Sequence, residues 1–260
     1  MTTKQSLSKG PDGALGFSSS VLQFGFDPAS WMKRLGDESM IEGVIFDMDG
    51  VLIDNVAYHV RAWQALGKEI GKVTDEALIR SVFGRRNKDI LRALLGGSPD
   101  SAELQRGTER KEELYRHFIR PHVKETAVPG LRSLLLALQQ KQVSRAVGTS
   151  GPPENVKLVL TELGLGDCFD AIVTGPEVEN GKPAPDIFLL AAQRLGVQPQ
   201  RCLVFEDSPA GIAAAQRAGC LCVALSTTHD RGELERWSPR SIVADFTEWQ
   251  NGGLAELGPV

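Results

Sequence analysis

The chain has 260 residues, 42% of them hydrophobic and 24% charged, and 33 acidic against 29 basic side chains leave a formal charge of -4. Those fractions suit a globular chain and argue against a wholly disordered, collagenous or coiled-coil one. The small negative charge leaves no overall footprint for nucleic acid. No apolar run approaches the roughly 20 residues of a membrane span, so no membrane partner is expected.

Taken in chain order, residues 1–39 stand apart. Lys9-Gly10-Pro11-Asp12-Gly13 and Ser18-Ser19-Ser20 are turn formers without periodicity. Asp27 and Pro28 start a short helix with Trp31, Met32 and Leu35 on one face. The segment reads as a flexible or peripheral leader, either a docking element or a stretch ahead of a start at Met40.

From Gly43 the pattern changes. Val44-Ile45-Phe46 is a short apolar run that reads as a buried strand, and similar runs recur at 143–147, 171–173, 202–205, 221–225 and 242–244. Helical patterns fall between them at 131–140, 156–163, 187–195 and 211–218. Strands alternating with helices predict an α/β fold with a doubly wound, mostly parallel sheet covered on both faces.

One interval breaks the alternation. Between Asn55 and Ala127 only helix-period apolar positions occur: Ala62, Trp63 and Leu66; Leu78, Ile79 and Val82; Ile90, Leu91 and Leu94; Leu114, Tyr115 and Phe118. An all-helical insert of about 70 residues is large enough to be a small domain. The expected organisation is a core from 40–55 and 128–260 with a helical domain at 56–127. The four cysteines, Cys168, Cys202, Cys220 and Cys222, lack metal-binding spacing and read as thiols of a cytoplasmic protein.

Ligands of open α/β sheets bind at the carboxyl ends of the strands. The run at 44–46 ends in Asp47-Met48-Asp49-Gly50, that at 143–147 in Gly148-Thr149-Ser150, and that at 202–205 in Glu206-Asp207-Ser208. Four carboxylates and a hydroxyl thus gather at one edge. Like charges in one cleft raise each other's pKa unless a cation neutralises them, and Mg²⁺ suits such oxygen ligands best. Asp47 and Asp49, two apart in extended chain, project to the same side and can divide nucleophilic and proton-transfer work. Lys182, in a proline-fixed loop, holds a phosphate or offsets the acids, or is a plain surface lysine.

These residues carry a resemblance. Asp47 to Asp54 (DMDGVLID), Gly148-Thr149-Ser150, Lys182 and Glu206-Asp207 resemble the four ordered motifs of the haloacid dehalogenase superfamily. Tyr58-His59, Arg61-Ala62-Trp63, Lys182 to Phe188 (KPAPDIF) and Glu206 to Gly211 (EDSPAG) resemble its β-phosphoglucomutase-like branch. The resemblance implies a Rossmann-like core with an inserted helical cap and phosphoryl transfer through an aspartyl-phosphate. It makes Asp47 the nucleophile, Asp49 the general acid and base, and Thr149 and Lys182 the phosphoryl holders. Asp47, Asp49 (through its carbonyl) and Asp207, with Glu206 close by or through water, become the Mg²⁺ site. His59 and Lys111 are the matching cap residues, with Arg85, Arg86 and Ser150 as further substrate contacts.

The branch holds both phosphatases and mutases. Asn87 falls where the mutases place a cap arginine, Asn55 where the branch has Thr or Ser, and Ser150-Gly151-Pro152-Pro153 lacks a polar pair expected after the second motif. The expectation is hydrolysis of a small phosphorylated metabolite such as a sugar phosphate, by a monomeric cytoplasmic enzyme. The alternatives are a β-phosphoglucomutase and a non-catalytic phosphometabolite sensor. His229 reads as a surface-loop residue, and Lys111 equally as a solvated charge among glutamates.

Overall fold

The computed structural model describes residues 41–96 and 99–253; the readings made for residues 1–39 lie outside them. Six strands form one parallel sheet in the order β3-β2-β1-β4-β5-β6. They are β1 Gly43–Phe46, β2 Ser144–Gly148, β3 Ala171–Val173, β4 Cys202–Glu206, β5 Leu221–Leu225 and β6 Ser241–Val243. The chain winds outward from β1 in both directions, so β1 lies between β2 and β4 with Phe46 level with Val147 on one side and Phe205 on the other. A sheet wound this way opens a crevice at the carboxyl end of its central strands.

Helices cover both faces, which is why the strands read as unbroken apolar runs. Val44 and Phe46 join one buried cluster with Leu203, Phe205 and Trp249, whereas Ile45 joins Ala146, Val204 and Phe188 on the other side. Phe46 stacks on Phe205 at 5.3 Å between ring centres. The covering helices are α5 Leu131–Gln140, α6 Pro153–Leu163, α7 Asp186–Leu195, α8 Pro209–Ala218, α9 Arg231–Glu235 and α10 Phe246–Gly253.

The interval after β1 is helical, as its periodicity predicts: α1 Val56–Glu69, α2 Glu76–Ser81, α3 Asn87–Leu95 and α4 Ser101–Ile119. These helices bury an apolar cluster of their own around Val60, Trp63, Leu66, Ile79, Ile90 and Leu104. Two adjacent strands of chain join the block to the sheet. Asp54 N–H donates to Thr126 O at 2.7 Å, and Val128 N–H to Leu52 O at 3.1 Å.

Several boundaries differ from the sequence reading for identifiable reasons. Val143 N–H closes the end of α5 on Leu138 O, so β2 begins one residue later than expected. Ala244 N–H is taken by the Glu248 carboxylate, which stops β6 at Val243. α8 starts at Pro209 because the Ser208 hydroxyl accepts from Gly211 N–H and caps it. Leu78, expected to be buried, is 45% exposed, because the short α2 turns only Ile79 inward.

Candidate active site

Asp47 follows β1 directly, and its N–H still pairs with Phe205 O. The chain then folds back on itself, with the N–H groups of Leu52 and Ile53 reaching Met48 O. Gly50 makes this possible with φ +76, and any Cβ there would overlap the Asp207 carboxylate. The turn therefore presses the first acidic pair against the end of β4.

At that junction three acids surround one lysine. Lys182 Nζ lies 2.9 Å from Asp47 Oδ2 and 2.6 Å from Glu206 Oε1, all three side chains being buried. Glu206 Oε2 accepts the N–H groups of Asp207 and Ser208 and the Ser208 hydroxyl. Both Glu206 oxygens are thus taken by protein donors. Burial opposes its charge, but Lys182 holds Glu206 below the usual carboxylate range. Burial likewise opposes the lysine charge, and Asp47 and Glu206 outweigh it.

Asp47 and Asp207 are different. Asp47 Oδ1 and both Asp207 oxygens are buried without a hydrogen-bond partner. Burial pushes Asp47 up to about 8, against the pull of Lys182, and lifts Asp207 well above its ordinary value with Glu206 adding repulsion. Oxygens of Asp47, Glu206 and Asp207 lie within 4.8 Å of one another. Three buried carboxylates against one ammonium, with three bare oxygens, are the donor set a small hard cation requires. Glu206, expected close to the metal or linked to it through water, uses its oxygens for Lys182 and the start of α8, and the bare oxygens are those of Asp47 and Asp207.

The helical block supplies the facing wall. Asn55 Nδ2 donates to Asp49 Oδ1 at 2.6 Å, and His59 Nε2 approaches the same oxygen at 3.3 Å. Lys111 Nζ lies 2.6 Å from His59 Nδ1 and 2.8 Å from Glu112 Oε1. Since an ammonium only donates, His59 must accept at Nδ1 and carry its proton on Nε2, toward Asp49. Burial and the Lys111 charge both lower the His59 pKa. Burial would raise Asp49, but His59 and Asn55 hold it below its usual value. Its Oδ1 is thus held by the block.

Asp47, Asp49, His59, Arg85, Asn87, Glu112, Thr149 and Ser150 line one cleft. The space between them is about 40 Å³. Thr149 is buried and its hydroxyl accepts Gly151 N–H; Ser150 Oγ donates to Gly84 O of the block at 3.1 Å. Gly84 takes φ +84, and a Cβ there would press on the Ser208 hydroxyl.

Three sequence expectations change. Arg86 does not line the cleft; its guanidinium donates to Glu179 O at 2.7 Å and Val178 O at 2.8 Å, clamping the block to the loop before Lys182. His229 lies in the loop after β5 but is buried rather than exposed, and its Nδ1 sits 3.1 Å from Asp207 O. The reading of Lys111 as a solvated charge also fails, because it is 1% exposed and lies behind His59. Sequence reasoning missed Glu112, Asn155 and the hydroxyl of Tyr115, to which Asn55 donates. A signal existed: Leu104, Lys111, Tyr115 and Ile119 fall on one stripe of α4, which places Lys111 inside.

Residues 41–219 match the model of the haloacid dehalogenase-like hydrolase family. The validoxylamine A 7'-phosphate phosphatase of Streptomyces hygroscopicus subsp. limoneus is 37% identical over 214 residues, 80% of this chain and 96% of that protein. The β-phosphoglucomutase of Bacillus subtilis is 34% identical over 190 residues, 71% of this chain and 83% of that one. A crystal structure of β-phosphoglucomutase from Clostridium difficile superimposes with a TM-score of 0.73 at 30% identity, covering 80% of this chain and 93% of its own.

Proposed function

Because this chain belongs to the haloacid dehalogenase-like hydrolase family, we propose that it is a Mg²⁺-dependent phosphatase of small phosphorylated metabolites, sugar phosphates foremost. The observation that carries this reading is the buried pair of partnerless acids, Asp47 and Asp207, beside Lys182 and opposite Asp49. Mg²⁺ held by Asp47, Asp207 and the Asp49 carbonyl would supply the positive charge that lets a phosphate dianion approach three carboxylates.

In this mechanism a carboxylate oxygen of Asp47 attacks phosphorus in line, the bond to the leaving oxygen breaks, and that oxygen takes a proton from Asp49. Asp49, an anion without substrate, takes up a proton from solvent as the arriving phosphate dianion raises its proton affinity, and this is the proton it gives. Thr149 and Lys182 hold the phosphoryl oxygens. Asp49 then removes a proton from water, whose oxygen attacks the aspartyl-phosphate and releases inorganic phosphate and free Asp47.

A site for a metabolite needs hundreds of Å³, against about 40 Å³ here. Residues 56–127 therefore act as a cap over the core of 40–55 and 128–260, opening to admit substrate and closing to exclude water. The cleft is complete within one chain, which supports a monomeric working unit. The four free cysteines suit the reducing cytoplasm.

The second reading is a β-phosphoglucomutase, favoured by Arg85, an exposed cation lining the cleft that can meet a second phosphate. Against it, Arg86 is committed to Val178 and Glu179, and Asn87 to Glu112. Incubation with Mg²⁺ and a panel of sugar phosphates, including β-glucose 1-phosphate with a trace of the 1,6-bisphosphate, separates the two. Release of inorganic phosphate is expected; glucose 6-phosphate formed without it overturns the phosphatase reading.

A further inference from the structure

Asn155 lies in the first turn of α6, on the core, and is fully buried without lining the cleft. Its Oδ1 accepts from Arg116 Nη1 at 2.9 Å, and its Nδ2 donates to Glu112 Oε2. Both partners stand on α4 of the cap. The other donors to Glu112 are Lys111 and Asn87, and these also belong to the cap. Among the described residues, the amide of Asn155 is therefore the core's contribution to this carboxylate.

The chemistry of the position is narrow. One side chain must accept from a guanidinium and donate to a carboxylate at the same time, which a short amide does and an acid or an apolar residue does not. When the cap swings away, Glu112, Arg116 and Asn155 are solvated separately; when it closes, each finds its partner and the seam is dry. A buried carboxylate is tolerated only with charge and hydrogen bonds in place.

Glu112 is also the anion beside Lys111, and Lys111 sets the His59 tautomer that points a proton at Asp49. We infer that Asn155 is a positioning residue of the reaction: by docking on Glu112 and Arg116 it latches the cap shut and aligns His59 on Asp49. The inference rests on the phosphatase reading for its kinetic consequence, while the latch itself is testable without turnover.

Lys111 and Lys182 are buried behind the cleft residues His59 and Asp47, whereas Lys68 and Lys157 are exposed. Amine acetylation of the full chain in Mg²⁺ buffer, read lysine by lysine by peptide mass spectrometry, thus reports opening against internal controls. Asn155→Asp sets a carboxylate against Glu112 and is expected to speed labelling of Lys111 and Lys182 by roughly tenfold, with Lys68 and Lys157 unchanged. Adding Glu112→Gln restores a donor toward the introduced carboxylate and leaves Arg116 paired, so in the double variant Lys182, which Glu112 does not pair with, returns close to its wild-type rate.

In parallel, kcat/KM for sorbitol 6-phosphate should fall by roughly tenfold in Asn155→Asp, and that for the small acetyl phosphate much less. Wild-type labelling rates at Lys111 and Lys182 in Asn155→Asp overturn the latch, as does a double variant whose Lys182 labels no slower than in the single one. An equal fall on both phosphates overturns the positioning role. A wild type that releases phosphate from neither compound nor from the sugar-phosphate panel removes the phosphatase reading, and the labelling still decides whether Asn155 latches the cap.

Discussion

Two buried charge clusters face each other across the cleft, and each is built around a lysine. On the core, Lys182 serves Asp47 and Glu206 while Asp207 stands beside them, and three carboxylate oxygens have no partner. On the cap, Lys111 serves Glu112, whose two oxygens receive Asn87, Lys111 and Asn155. Burial raises Asp47 and Asp207, whereas Lys111 and its neighbours hold Glu112 below its usual value in spite of burial. A cluster left short of positive charge can take a cation; one that satisfies itself fixes a position.

The sharpest way to break this contrast is Asp47→Asn. Turnover should fall at least about a thousandfold because the proposed nucleophile is gone. The metal-free protein should meanwhile become more stable near pH 8, since one repelling carboxylate has been removed. Urea unfolding beside a phosphate-release assay checks both, and a parallel loss of stability would count against the cluster being overcharged.

Lys182→Met should come next in size. It leaves Asp47 and Glu206 buried without a cation and should cost about 3–5 kcal/mol of stability without Mg²⁺. An unchanged urea midpoint would mean that the lysine is not what holds the acids together.

Mg²⁺ at a hundredfold excess over its Kd should stabilise the protein by about 2.7 kcal/mol, with a defined pH dependence. Asp47 rises from 3.8 to about 8 in the fold, so the native state keeps a proton that the unfolded chain has lost. Its stabilisation is present at low pH and is lost as pH climbs through about 8. Mg²⁺ competes with that proton, and its effect should therefore grow between pH 6 and pH 8.5. Thermal midpoints in EDTA and in Mg²⁺ measure it, and an effect that shrinks over this window would be contrary to the assignment.

Arg85→Ala is the mildest change. The exposed guanidinium lines the cleft without anchoring the cap, so KM for a sugar phosphate should rise about tenfold, or 1.4 kcal/mol, with kcat little altered. A fall in kcat alone would place Arg85 in the transition state instead.

Much of the core side was legible in the amino-acid sequence. Asp47, Thr149 and Asp207 follow short apolar strands, and the strand-end rule applies to each by local reading alone. The cap network was not legible, since its partners are far apart in the chain: Asn55 meets Tyr115, Lys111 meets His59, and Asn155 meets Glu112. Glu112 stands among Lys111 and Glu113 in sequence and looks like any solvated helix charge, until the packing of α4 turns it inward.

Arg85 and Arg86 show the division most clearly. Both are basic, adjacent and ahead of the same helix, yet one lines the cleft and the other clamps the loop at 178–179. By itself the sequence determined the parallel sheet, the helical insert and the strand-end acids, because periodicity and turn chemistry are local. Only the tertiary structure decided which acids stay bare and which charges are paired, because burial and partner choice depend on residues brought together from distant parts of the chain.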